Sequence, residues 1–327
     1  MPEITMVEAI RDAMDEELAH DENVFIVGED VGQRGGVFRA TMGLFEKYGA
    51  EQVIDSPLAE LSIVGVGIGA ALYGMKPICE IQFADFIFPA FNQIVSEAAK
   101  MTYRSNATWT VPMVIRAPYG GGIGGGLYHS QSVEAFFTQI PGLKVVIPSN
   151  PYDAKGLLKS AVRDPNPVIF LEPKKGYRLI KGEVPEEEFL VPIGPAKISR
   201  VGEDLTIFAY GMMLFYALQA AEQLEQEGVS VEVVDLRTLY PVDKPTILES
   251  VKKTGKALIV YEDNLTGGYG GEIAAIIAEH AFHDLDAPVR RLAGPDVPAV
   301  PFSHPMQEWF MVNPEKIFKA ALDLARY

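Results

Sequence analysis

Leu58-Ala59-Glu60-Leu61-Ser62-Ile63-Val64-Gly65-Val66-Gly67-Ile68-Gly69-Ala70-Ala71 is the stretch on which the fold reading turns. Its three glycines look like a dinucleotide-binding fingerprint, and Asp85 lies at a spacing downstream that would suit a ribose-binding acid. Such a fingerprint needs a strand feeding its first glycine and a helix N-terminus just beyond it. Here Leu58 to Val64 lead in with apolar residues at helical spacing. The glycines therefore read as small residues within a closely packed helix, and a nicotinamide-dependent oxidoreductase becomes the lesser reading.

Outward from that helix, short apolar runs alternate with segments of helical period, the signature of parallel sheets covered on both faces. Thr5-Met6-Val7-Glu8 is a capping box that predicts a helix to about Ala19. Strands are expected at Val24–Val27, Pro77–Gln82, Met113–Arg116, Val145–Ile147 and Val168–Leu171. From about Glu172 to Val201 the periodicity lapses into Pro, Gly and charge, as in Lys181-Gly182-Glu183-Val184-Pro185-Glu186-Glu187-Glu188, which reads as an exposed connection. Beyond it, strands at Leu205–Tyr210, Val231–Leu236, Leu258–Glu262 and Val289–Leu292 alternate with helices such as Leu214–Glu227 and Gly271–Ala281. The class is α/β, with two open, mostly parallel sheets: a first domain over 1–180, a linker over 181–200 and a smaller domain over 201–327.

A chain of 327 residues, 48% hydrophobic, can fill two cores. Cys79 is the single cysteine, so neither an internal disulfide nor a cysteine metal cluster is available. No basic flank leads into an apolar run at Met1-Pro2-Glu3-Ile4, and no uncharged stretch is long enough to span a bilayer. The expectation is a soluble, cytoplasmic protein with no membrane contact. A formal charge of −16 disfavours nucleic acid as a partner. It suits a basic protein partner, although solubility alone would also explain it.

Gly120-Gly121-Gly122-Ile123-Gly124-Gly125-Gly126 costs more conformational entropy than an ordinary turn needs. It is either a loop passing close to a ligand or a flexible surface turn, and no Lys-Ser or Lys-Thr follows to complete a phosphate loop. Among His20, His129, His280, His283 and His304, only His129 sits beside that loop, just before an expected helix start at Ser130 or Ser132. A structural histidine would fit there as well. His280 and His283 share a helix face without a third ligand and read as helix-end residues. Glu60, taken alone, is an acid favoured near a helix N-terminus.

Several segments together resemble the β subunits of the thiamine diphosphate-dependent 2-oxo acid dehydrogenases. They are Gly28-Glu29-Asp30-Val31-Gly32, Asp55-Ser56-Pro57-Leu58-Ala59-Glu60, Glu80-Ile81-Gln82-Phe83-Ala84-Asp85 and His129-Ser130-Gln131-Ser132. In the second domain the matching stretches are Val234-Asp235-Leu236-Arg237-Thr238-Leu239-Tyr240-Pro241 and Lys253-Thr254-Gly255-Lys256, so the likeness covers nearly the whole chain. It implies a pyrimidine-binding thiamine-fold domain followed by a transketolase C-terminal-like domain that helps β subunits pair. It also implies an α2β2 heterotetramer with an α subunit that supplies magnesium and diphosphate binding. This sequence contains no Gly-Asp-Gly, the family's diphosphate motif, which agrees with a chain that supplies only the aminopyrimidine half of the site.

By that resemblance Glu60 holds N1′ of the aminopyrimidine, sharing a proton with it, and burial beside the cofactor would raise its pKa. Glu29 is the second carboxylate, Gln82 and Phe86 contact the ring, and Leu58 and Ala59 are backbone neighbours. Phe86 also fits a plain aromatic core with Phe83, Phe88 and Phe91. His129 corresponds to the family's active-site histidine, with Tyr128, Phe83 and Asp85 lining the substrate side. The turn at Ala161, Asp164 and Asn166 resembles a potassium site, and would equally suit a capped helix end. Gly126–Phe137 and Ala293–Pro301 resemble branched-chain members more than pyruvate members. The implied reaction is decarboxylation of branched-chain 2-oxo acids and acylation of the lipoyl domain of an acyltransferase core, whose subunit-binding domain would dock on the complex. The alternatives are the same reaction on pyruvate and a non-catalytic assembly subunit.

Overall fold

Thr5 ends a short strand, β1 (Glu3–Thr5), and starts the helix Met6–His20. In the computed structural model, which describes Met1–Tyr327, its backbone N–H donates to the Glu8 carboxylate at 2.8 Å and its hydroxyl accepts the Glu8 N–H at 3.4 Å. The capping box foreseen in the sequence is thus formed, and such a cap stabilises a helix by about 1 kcal/mol. The chain divides into two compact units, Met1–Tyr119 with Phe136–Ile193, and Gly120–Ala135 with Gly194–Tyr327.

In the first unit, β2 (Val24–Gly28), β3 (Val53–Asp55), β4 (Lys76–Glu80), β5 (Val114–Tyr119), β6 (Lys144–Val146) and β7 (Val168–Pro173) form a parallel sheet in the order β6-β7-β5-β4-β2-β3. Every residue of β2, β5 and β7 is buried, as expected for strands covered on both faces. The helices Met6–His20 and Pro151–Val162 lie against each other and are tied by Glu16, which receives Lys155 and Lys159, each at 2.6 Å.

The helix Glu60–Leu72 buries Ile63, Val64, Gly67, Ile68 and Ala71, one face at helical spacing. The glycine-rich stretch is therefore helical, and no strand feeds its first glycine. Only Gly67 is demanded by packing, since a Cβ there would lie 2.5 Å from Cys79 Sγ. Gly69 faces open space, and a Cβ on Gly65 would make only an ordinary contact, 4.0 Å from Gln93 Oε1.

The stretch after β7 is less exposed than its composition suggests. β8 (Lys181–Glu183) pairs antiparallel with β1, Glu3 opposite Glu183, and Val184 and Val191 are buried, so this segment is held by main-chain hydrogen bonds and apolar contacts.

The second unit contains β9 (Lys197–Arg200), β10 (Leu205–Ala209), β11 (Val231–Asp235), β12 (Thr238–Tyr240), β13 (Ala257–Asn264) and β14 (Arg290–Gly294). Its five-stranded sheet runs β14-β13-β10-β11-β9, parallel except for the edge strand β9. The helices Met212–Gln226 and Pro314–Ala325 pack together beside it. No helix is long and apolar enough to cross a membrane.

Candidate active site

In a parallel sheet, the loops leaving the carboxyl ends of neighbouring strands converge on one edge, where ligands bind. Strands β3, β2 and β4 are neighbours, and their last residues, Asp55, Gly28 and Glu80, stand in register. Glu29 follows Gly28 directly, Gln82 follows Glu80 by two positions, and Ser56–Ala59 lead from Asp55 into the helix that Glu60 opens. Segments far apart in sequence therefore meet at one sheet edge. Two main-chain ties hold them: Ser56 N–H donates to Gly28 O at 2.8 Å, and Gly32 N–H donates to the Asp55 carboxylate at 2.6 Å. A Cβ at Gly32 would collide with that carboxylate, so the approach requires glycine. The Gln82 side-chain amide donates to Glu29 O at 3.4 Å.

Glu29 and Glu60 are both half-buried. Burial first, then the charges of Asp30 and Glu60, push the Glu29 carboxyl above the usual carboxylate range. Ala59 is half-buried, whereas Leu58 is 72% exposed, an apolar side chain left uncovered next to Glu60. Phe83 and Phe86 meet edge to face at 5.7 Å, and Phe38 joins Phe83 at 5.3 Å. The buried Lys174, just past β7, sets its ammonium 5.7 Å from the centre of the Phe83 ring. Asp85 lies in the turn Ala84–Phe86. Phe86 thus serves the aromatic cluster whatever else it contacts.

Behind this edge lies a buried ionic network that the sequence reading missed. Arg116 on β5 donates two hydrogen bonds of 2.8 Å to Glu172 on β7 and also pairs with Glu80 on β4. The Tyr177 hydroxyl donates to the same Glu172 carboxylate. Arg116, Glu80 and Glu172 are each at most 3% exposed. Burial raises the Glu80 pKa, opposed by the adjacent guanidinium. The signal available in the sequence was a lone charge inside each of three apolar strands, Ile115-Arg116-Ala117, Cys79-Glu80-Ile81 and Leu171-Glu172.

His129 belongs to the second unit, at the end of the loop that begins with Gly120. Gly120, Gly122, Gly124 and Gly126 all take positive φ, between 61° and 85°, which explains the glycine content. Gly120 N–H donates to Gln131 O at 2.9 Å, and the Gln131 side-chain amide donates to Leu127 O at 3.2 Å, closing the loop on itself. Residues 130–132 are not helical, and the next helix begins at Glu134 rather than at Ser130 or Ser132. His129 is half-buried, and Tyr128 is 69% exposed. Close by, Glu134 is fully buried, accepts the Tyr210 hydroxyl at 2.9 Å and leaves Oε2 without a hydrogen bond. Burial, and then the Asp263 and Glu262 charges, push its carboxyl up to about 8. Asp263 is pushed up to about 6 by burial and by Glu262.

At the turn read as a cation site, Asp164 pairs with Lys144 and accepts the Asn166 N–H at 2.9 Å. Asn166 Oδ1 accepts the Thr102 hydroxyl at 3.0 Å, and Ala161 O accepts the Asp164 N–H at 3.3 Å. No group of three or more His, Cys, Asp or Glu side chains is arranged to hold a metal ion.

Comparison with known proteins matches residues 2–180 to the transketolase pyrimidine-binding domain and residues 194–317 to the transketolase C-terminal domain. The chain is 59% identical to the 2-oxoisovalerate dehydrogenase subunit beta of Bacillus subtilis (strain 168), over 100% of both chains. It is 48% identical to the pyruvate dehydrogenase E1 component subunit beta of the same organism, over 94% of this chain and 95% of that one. A solved structure described as a split-gene transketolase, an inactive beta4 tetramer, superposes with a TM-score of 0.80 at 24% identity, covering 99% of this chain and 98% of the other, a likeness of fold.

Proposed function

The chain belongs to the β subunits of the 2-oxo acid dehydrogenases, and from that premise we propose that it completes a thiamine diphosphate site with an α subunit and serves branched-chain 2-oxo acids. The observation that carries this reading is the meeting of Glu29, Glu60 and Gln82 at the ends of β2, β3 and β4. Two half-buried carboxylates beside an amide and an aromatic cluster suit a planar, nitrogen-rich ring that exchanges protons. When bound, the cofactor would supply a carbon nucleophile and an electron sink for decarboxylation of a 2-oxo acid.

Glu60 holds a proton against N1′ of the aminopyrimidine ring. Glu29, whose carboxyl already gains protons more readily than usual, limits the charge accumulating at this edge. Gln82 orients the Glu29 backbone and Phe86 walls the ring. Ala59 and the uncovered Leu58 give the cofactor an apolar seat. Phe83, Asp85 and Tyr128 are assigned to the acyl substrate, and His129 to the proton handled during transfer to lipoyl.

The branched-chain preference follows the higher identity to the 2-oxoisovalerate relative than to the pyruvate relative. Magnesium is assigned to the α subunit. The Lys144 ion pair leaves the Ala161–Asn166 turn with mainly neutral oxygens to offer, a donor set suited to potassium rather than a divalent ion. The α2β2 assembly would carry the lipoyl and subunit-binding domains of the acyltransferase core, in the cytoplasm.

The test is to purify the chain with its α subunit and measure magnesium- and thiamine diphosphate-dependent decarboxylation of 3-methyl-2-oxobutanoate and pyruvate, each chain alone serving as control. Activity only in the mixture is expected, greater on the branched substrate. Glu60→Gln should lower it by about 100-fold or more without unfolding the chain. Activity of that variant within about tenfold of wild type would remove Glu60 from the proton-handling role.

A further inference from the structure

We propose that Glu262, on β13 of the second unit, is a positioning residue for His129, holding the base of the loop that carries it. This rests on the reading of His129 as the residue that manages the proton in acyl transfer.

The Glu262 carboxylate accepts the Gly121 N–H, and the side chain is only 7% exposed. It lies flat against the turn. A Cβ on Gly120 would stand 2.8 Å from one Glu262 oxygen and 3.0 Å from the other, and a Cβ on Gly121 would stand 2.9 Å from Met311 Sδ. The sequence has glycine at both places, which lets the carboxylate and Met311 reach the main chain. Directly across the loop base, Gly120 N–H binds Gln131 O at 2.9 Å. Two adjacent N–H groups of one turn are thus fixed, one to the returning strand of the loop and one to β13. At the other end of the loop, a Cβ on Gly126 would meet the Phe302 ring at 2.8 Å.

Between these supports the loop has glycines of positive φ at 122 and 124, and little intrinsic stiffness of its own. The anchors at the loop base therefore contribute to the placement of His129, together with the contacts His129 makes itself. The anchor at Glu262 is a charge-assisted hydrogen bond in a buried setting, stronger than one between neutral groups. The second unit, by this account, takes part in catalysis through the orientation of a histidine.

A merely structural glutamate and a positioning one differ in a double-mutant cycle. Glu262→Ala, Glu262→Gln and His129→Ala, with the two double variants, are compared in the complete α/β complex by the rate of reductive acylation of a free lipoyl domain and by decarboxylation with an artificial oxidant. Glu262→Ala is expected to slow reductive acylation by about tenfold or more, the size of effect that follows small misplacement of a reacting group. Glu262→Gln, which keeps an oxygen for the Gly121 N–H, should restore most of the rate. In the His129→Ala background, Glu262→Ala should add less than about twofold.

Equal loss in both backgrounds, or no loss in either, overturns the inference while leaving the role of His129 intact. Unchanged reductive acylation in His129→Ala overturns that role, and the inference with it. Should Glu262→Ala fail to fold, Glu262→Asp keeps the charge but withdraws the acceptor by one methylene, and the same comparison of backgrounds decides.

Discussion

Glu134→Gln isolates the energetic consequence of a carboxyl held where water cannot reach it. Glu134 is fully buried, with its carboxyl pushed up to about 8 by burial and by Asp263 and Glu262. In the unfolded chain the same group loses its proton near 4.5, the ordinary value for a glutamate. A group whose folded pKa lies above its unfolded one contributes stability that is fully present below the unfolded value and is lost as pH rises toward the folded value. Between pH 4.5 and about 8 the loss accrues at about 1.4 kcal/mol per pH unit, which sets a ceiling of about 5 kcal/mol. Asp263 shares the interaction, so about 3 kcal/mol is expected when Glu134 alone is replaced. The amide of glutamine still accepts the Tyr210 hydroxyl, so shape is retained.

Thermal melts of wild type and variant at a fixed scan rate, from pH 5 to pH 8.5, provide the assay. The variant should gain on wild type as pH rises, by about 6–12 °C in Tm across that range for a unit of this size. Parallel curves, separated by a constant offset, would show that Glu134 is ionised at neutral pH, and the reasoning from burial would be refuted.

Two further predictions concern the first unit. Arg116→Met leaves Glu80 and Glu172 buried without their guanidinium and should cost about 3–5 kcal/mol, read as a fall in the urea midpoint; a loss below about 1 kcal/mol would refute the view that the guanidinium is what sustains this buried network. Gly67→Ala drives a methyl group against Cys79 Sγ and should cost about 1–3 kcal/mol. Cys79→Ala in the same chain should recover most of that loss, and strict additivity of the two substitutions would show that the helix adjusts elsewhere.

What could be read from the sequence follows physical range. The helix Met6–His20 was legible because its cap lies within four residues, and β2, β7 and β10 because a strand buried on both faces is mostly apolar, β2 entirely and β7 over its first four residues. The glycine run at Gly65–Gly69 could be removed from consideration as a nucleotide site because its lead-in has helical spacing. The meeting of Glu29, Glu60 and Gln82 was reached only through resemblance, since strand order β4-β2-β3 is not encoded in any one segment. The Arg116 network escaped for the same reason: each member looks like a stray charge until the strands are side by side. The segment 120–135 groups with the second unit through Glu262, Met311 and Phe302, which lie far along the chain from it. Nothing local in its glycines announces that.

Neither unit is an unbroken length of chain: the second takes residues 120–135 from within the first before resuming at Gly194. That arrangement constrains how such proteins can be recombined. A chimera joined only at 193/194 would give the recipient a foreign β13 and C-terminal helices while keeping its own His129 loop, so the hydrogen bond to Glu262 and the glycine fits to Met311 and Phe302 would have to be met by residues of different origin. Exchanging 120–135 together with 194–327 keeps those fits intact. Two crossovers more are needed, and substrate-specificity chimeras between relatives should be built that way.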